Sequence, residues 1–153
     1  MKDMVGLIEE VISTGGEFRL YPRGTSMLPL IKQGKDSVIL VKPSLLSVND
    51  IILYKRKNEQ FVLHRIVKIK GKDLVICGDN QTSLEYGITV DDVIAKVSAI
   101  YIDETRYEGV TGDRGKNYFL KLKFKRLFKP TIVRIKRVIK NPSLIWRKIK
   151  GEK

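Results

Sequence analysis

The stretch with the most chemical content is Arg23-Gly24-Thr25-Ser26-Met27-Leu28-Pro29-Leu30-Ile31, a serine in a turn bounded by glycine and proline. A turn of this kind, ahead of a strand, can present the Ser26 hydroxyl with exposed backbone N–H groups beside it. Acyl transfer requires both, because the hydroxyl attacks a carbonyl and the N–H groups hold the oxyanion that forms. A Thr-Ser pair in a turn is also a common hydrogen-bonding device with no chemistry. Attack needs a base, and His64 is the only histidine in the chain. Histidine alone among side chains has an unperturbed pKa near working pH, so His64 is the natural proton acceptor. A carboxylate on its far ring nitrogen would fix the tautomer and stabilise the imidazolium. The competing reading is a strand histidine, partly buried and hydrogen-bonded to backbone.

Other chemistries find little support. One cysteine and one histidine provide neither a metal constellation nor an internal disulfide, and no metal or cofactor is expected. Cys77 ends an apolar run and reads as core packing, and Asp91-Asp92 read as solvated turn residues. A lone cysteine also fits a reducing compartment.

The elements that must position Ser26 and His64 are mostly short strands. Met1 to Ile12 reads as an amphipathic helix with Met4, Leu7, Ile8, Val11 and Ile12 on one face, and Thr14-Gly15-Gly16 ends it. Strands are expected at Glu17 to Tyr21, Ser37 to Lys42, Asp50 to Lys55, Gln60 to Lys70, Leu74 to Cys77 and Val93 to Ile102. In the fourth, Val62, His64, Ile66 and Lys68 alternate onto one side, and Lys70-Gly71-Lys72-Asp73 is a hairpin turn. From Lys116 the period becomes helical, with Leu120, Phe124, Leu127, Phe128, Ile132, Ile135, Val138 and Ile139 recurring. Pro130 should break or kink that helix, and Asn141-Pro142 should end it. The fold class expected is a mainly β body with a short N-terminal helix and C-terminal basic helices.

Further boxes follow the Ser26 turn in order: Gly34 to Val41, Asn49 to Tyr54, Val62-Leu63-His64-Arg65-Ile66-Val67, and Cys77-Gly78-Asp79-Asn80. Over roughly residues 20 to 100 this succession resembles the serine peptidase superfamily of type I signal peptidases and self-cleaving SOS-repressor-type proteases. Its members carry a Gly-x-Ser-Met-x-Pro box, two Gly-Asp strands, a base-bearing strand and a Gly-Asp-Asn turn. The base position holds His64, as in the histidine branch that includes endoplasmic-reticulum-type signal peptidases. The resemblance implies a signal-peptidase-like β fold, Ser26 as nucleophile and His64 as base. It also implies an acid after the Gly-Asp-Asn turn. Glu85, six residues beyond Asp79, stands at about that position, and Asp79 is the competing acid. Gly24 stands where that branch commonly has serine, so the oxyanion would rest on the Ser26 N–H, helped by Thr25.

Charge divides the chain. Residues 1–115 hold 16 basic and 16 acidic side chains, whereas 116–153 hold 14 basic ones and one acid, Glu152. That division sets an expected boundary near Gly115, between a neutral catalytic body and a basic amphipathic extension. The extension's aromatic and aliphatic stripe, with Phe119, Phe124, Phe128, Ile135 and Trp146, fits an anionic membrane surface better than nucleic acid. Packing of that stripe on the body is the second expectation. No stretch approaches the roughly 20 apolar residues of a membrane span, and Glu9 and Glu10 interrupt any signal-peptide core. The expectation is a cytoplasmic endopeptidase, peripheral on the inner membrane face, cleaving a leader or precursor peptide. A non-catalytic peptide-binding module and a nucleic-acid-binding regulator are the rival classes.

Overall fold

The computed structural model describes residues 2–115 and 117–128. Helix α1 (Lys2–Ser13) is followed by eight strands: β1 (Phe18–Leu20), β2 (Ser37–Val41), β3 (Ile51–Lys55), β4 (Phe61–Lys70), β5 (Asp73–Cys77), β6 (Glu85–Thr89), β7 (Val93–Ile102) and β8 (Thr105–Glu108). A second helix, α2, runs over 118–128. All pairings are antiparallel, in the order β1-β2-β7-β3-β4-β5-β6, with β8 added beside β7. The architecture is therefore mainly antiparallel β, as the strand spacing indicates, with one described helix before the sheet and one after it. Pro130, Asn141-Pro142, Trp146 and the apolar positions from Ile132 onward lie outside the described residues.

Local sequence explains the elements closely. Gly15 (φ 83°) takes the left-handed position that closes α1, with Gly15 N–H donating to Ile12 O and Gly16 N–H to Val11 O. The stripe that α1 buries is Val5, Ile8 and Ile12, whereas Met4 and Leu7 face solvent. The inward spacing is thus 5-8-12, one residue round the helix from the face the sequence pattern favours. Gly71 (φ 59°) supplies the first central residue of the two-residue turn between paired Lys70 and Asp73.

β6 and β8 had no clear sequence signature. β6 reads Glu-Tyr-Gly-Ile-Thr, with Gly87 at φ 76° and a register shift opposite β5. The β7–β8 turn needs positive φ at both central residues, yet uses Asp103 (46°) and Glu104 (64°) where Asn-Gly is usual.

Each side of the sheet has its own core. One collects Ile8, Ile12, Met27, Leu30, Ile51, Leu53, Leu63 and Ile100, together with Tyr118 and Leu122 of α2. The other holds Ile52, Tyr54, Ile66, Leu74, Ile76 and Ile88. The alternation of β3 and β4 between these cores fixes which side chains reach which side. Described α2 residues therefore share the body's core across the charge boundary near Gly115.

Candidate active site

β3 and β4 pair with Ile52 opposite His64 and Tyr54 opposite Val62. Tyr54 and His64 are consequently diagonal neighbours on one face of the sheet. The Tyr54 hydroxyl lies 3.3 Å from His64 Nδ1 and donates to Glu85 Oε2 at 2.8 Å. Glu85 Oε2 is itself 3.9 Å from Nδ1, too far for a hydrogen bond. With its own proton directed at Glu85, the Tyr54 oxygen can only accept from the ring. Nδ1 then carries the imidazole proton, and Nε2 keeps its lone pair. The three groups form a directed relay from ring to phenol to carboxylate.

Arg56 completes the set. Its Nε donates to Glu85 Oε1 and its Nη2 to Oε2, both at 2.6 Å, in a two-pronged grip. Burial alone would raise the Glu85 carboxyl, but the Arg56 and Tyr54 bonds outweigh it and hold the group below its usual range. Tyr54 is pushed up by burial and by the neighbouring carboxylate, so it stays protonated as the relay requires. His64 is pulled down from 6.5 to about 4, first by burial and then by the Arg56 guanidinium, against the weaker pull of Glu85 and Asp79. Its imidazole is therefore neutral at physiological pH, the form a general base needs.

The other ring nitrogen faces the serine loop. Gly78, just after β5, is the point of closest approach: a Cβ there would stand 2.7 Å from Ser26 O and 3.1 Å from His64 Nε2. Only glycine permits that convergence. The same turn holds the loop, because Asn80 N–H donates to Ser26 O at 2.7 Å and Asn80 Nδ2 to Thr25 O at 3.2 Å. From the other side, Gly24 (φ 99°) donates its N–H to Gln33 Oε1 at 2.6 Å. Ser26, half-buried, and His64 then line one cavity of about 270 Å³ with Gly24, Arg56, Leu63 and Gln81. Among the described residues, no backbone carbonyl takes the N–H of Thr25 or Ser26. The Thr25 side chain beside them is exposed. No hydrogen bond joins the Ser26 hydroxyl to His64 among the described residues.

Of the two acids singled out in the sequence, Glu85 reaches the His64 ring, through Tyr54. Asp79 does not bond the ring. It is fully buried and gripped by Arg65 at 2.8 and 2.7 Å, and it also accepts from the Tyr118 hydroxyl at 3.0 Å. Arg65 follows His64 along β4 and so points to the opposite face, taking Asp79 with it. Cys77 is buried and its thiol is pushed up by that burial, which matches a packing role. Asp91 is exposed beside Lys72, and Asp92 caps the short turn at Thr89. No cluster of potential metal ligands occurs among the described residues.

Tyr54 and Arg56 are the site residues that sequence reasoning passed over. Tyr54 sits in an apolar strand and reads as core. Only its diagonal position to His64 across β3 and β4 would have identified it. Comparison with known proteins finds no matching family model, curated protein or solved structure.

Proposed function

We propose that the chain is a serine endopeptidase of the signal-peptidase type, cleaving a leader or precursor peptide. The observation that carries this reading is the His64 ring, met at Nδ1 by the Tyr54 hydroxyl, which Glu85 holds in turn, with Nε2 turned toward the cavity it shares with Ser26. Ser26 Oγ attacks the scissile carbonyl while His64 Nε2 takes its proton. The imidazolium so formed is held through Tyr54 by Glu85, and the Thr25 and Ser26 N–H groups receive the oxyanion. His64 then returns the proton to the leaving amine, and water resolves the acyl-enzyme with His64 again as base. The Ser26–His64 bond closes when substrate fills the cavity, as such bonds often lengthen without it.

The substrate is an extended segment. Among the described residues β1 pairs only with β2, and its other edge leads through Tyr21 and Pro22 into the Ser26 turn. A peptide added along that edge would run directly toward the nucleophile. An adjoining cavity of about 830 Å³, lined by Ile8, Phe18, Leu53, Phe61 and Leu63, would receive an apolar side chain of that peptide.

Incubating wild type and Ser26→Ala with a proteome-derived peptide library, and sequencing the products by mass spectrometry, tests the reading. Cleavage that disappears in the variant supports it, as does labelling of Ser26 by an acylating probe. The missing Ser26–His64 hydrogen bond favours a second reading, a peptide-binding module without chemistry. Peptide retention with neither cleavage nor labelling would establish that one instead.

A further inference from the structure

Helix α2 carries two apolar stripes. The inner one buries Tyr118 and Leu122 in the body, and Lys125 and Arg126 turn inward with it. Lys125 Nζ donates to the Asp79 carbonyl oxygen at 2.9 Å, and Arg126 Nη2 stands 3.8 Å from Asp79 Oδ1. The outer stripe is Leu120, Phe124, Leu127 and Phe128, at spacings of four, three and one. These side chains are 54%, 51%, 67% and 50% exposed, and the Phe124 and Phe128 rings stack with centroids 6.0 Å apart. Lys121 and Lys123 flank the stripe in solvent.

A helix needs one apolar face to pack on a domain. The second face keeps half or more of four large side chains exposed among the described residues, and contiguous exposed apolar surface marks an interaction site. Charge identifies what covers it. Residues 116–153 hold 14 basic side chains against one acidic, beside a body whose formal charges cancel. Two of those cations are directed at Asp79, and the body has no net negative charge to meet the others.

We propose that the outer face of α2 docks on an anionic lipid bilayer. The helix lies in the interface plane, with the Leu120–Phe128 stripe among the upper acyl chains and Lys121 and Lys123 at the headgroups. A nucleic-acid groove would match the cations but leave the four apolar side chains without a partner. The proposal is independent of the peptidase reading, since none of its residues belongs to the Ser26 cavity.

The full chain supplies the test, with Trp146, its only tryptophan, as an emission probe. Cosedimentation with phosphatidylcholine vesicles, alone or mixed with phosphatidylglycerol, reads the binding. The expected result is binding to the mixed vesicles that weakens with added salt, and little binding to the neutral ones. Leu120→Ser/Phe124→Ser/Leu127→Ser should lower vesicle affinity roughly tenfold or more, with an unchanged melting temperature. Lys121→Gln/Lys123→Gln should weaken binding several-fold at low salt only. Should the triple variant fail to fold, Leu127→Ser alone, the most exposed of the set, carries the same test in the same direction. Undiminished vesicle binding by these serine variants overturns the proposal. Equal binding to neutral and anionic vesicles does so too, as does tighter binding to duplex DNA than to anionic vesicles.

Discussion

His64 and Arg65 are consecutive residues of β4, and each leads to a carboxylate gripped by an arginine fork, on opposite faces of the sheet. On one face Glu85 is held by Arg56, with the two side chains 23% and 31% exposed. On the other Asp79 is held by Arg65, with both at 0%. The chemistry of the two pairs is the same and the surroundings are not. Asp79 draws Tyr118, Lys125 and Arg126 of α2 to the sheet, and Arg65 also donates to Asn49 O and Val110 O. That network is a clamp. Glu85 and Arg56 remain near water, and what they act on is the protonation of one imidazole. Depth of burial decides whether an ion pair serves the fold or sets the properties of a site.

Stability should separate the two pairs most sharply. Asp79→Ala leaves Arg65 charged and unpaired in a sealed interior, and should cost about 3–5 kcal/mol in urea unfolding. Glu85→Ala disrupts a pair that water can still solvate, and should cost about 1 kcal/mol or less. Equal losses would end the distinction. Next in size, deleting residues 116–153 removes Tyr118 and Leu122 from the shared core and the Tyr118 bond from Asp79. A destabilisation of about 2–5 kcal/mol is expected, by the same urea measurement.

Activity should show the reverse order. Glu85→Gln and Tyr54→Phe each interrupt the relay that orients His64, and each should lower peptide cleavage roughly ten- to a hundredfold. Their melting temperatures should stay within a few degrees of wild type. If cleavage in Tyr54→Phe equals that of wild type, the ring is not positioned through the phenol.

The smallest effect is a displacement along the pH axis. Under the proposed peptidase reading, kcat/KM for peptide cleavage should fall as pH drops through about 4, where His64 becomes protonated, and not near 6.5. Arg56→Gln removes a cation that opposes the imidazolium, so the acidic limb should move upward toward 6.5. A limb that stays in place would show that burial alone sets it. Folding is linked to the same proton. Between pH 6.5 and 4 the unfolded chain binds a proton at His64 that the folded one refuses. Stability from this group is therefore complete above 6.5 and declines as pH falls through that window. The decline should vanish in His64→Gln, measured by unfolding at pH 7 and pH 5.

Much of the architecture was legible in the sequence because its strands are β-branched runs separated by turn residues. Ser37–Val41, Ile51–Lys55 and Val93–Ile102 fall within a residue of where the pattern puts them. β6 and β8 escaped because Glu-Tyr-Gly-Ile-Thr and Thr-Arg-Tyr-Glu have weak patterning, and their pairing with β5 and β7 holds them. The candidate site divides the same way. Ser26, His64 and Glu85 stand out by residue type, spacing and family resemblance. Tyr54 and Arg56 belong to the site through strand register and through the approach of β6, which no local window contains. The 118–128 segment reads as a basic helix from its period, but the selection of Tyr118 and Leu122 as its buried side depends on Asp79 beneath it.

Under the peptidase reading, the turn at Gly78 and Asn80 would also set when the site can assemble. Ser26 lies 38 residues before its proposed base, and its loop is fastened by backbone that follows β5. A chain emerging from synthesis would carry the serine loop, then the histidine strand, and only afterwards the segment that draws them together. Its hydroxyl would thus stay untutored through the interval when the nascent polypeptide is itself an extended, cleavable strand. Under the proposed peptidase reading, the order of the chain would by itself keep Ser26 apart from its base until the 78–80 segment is made.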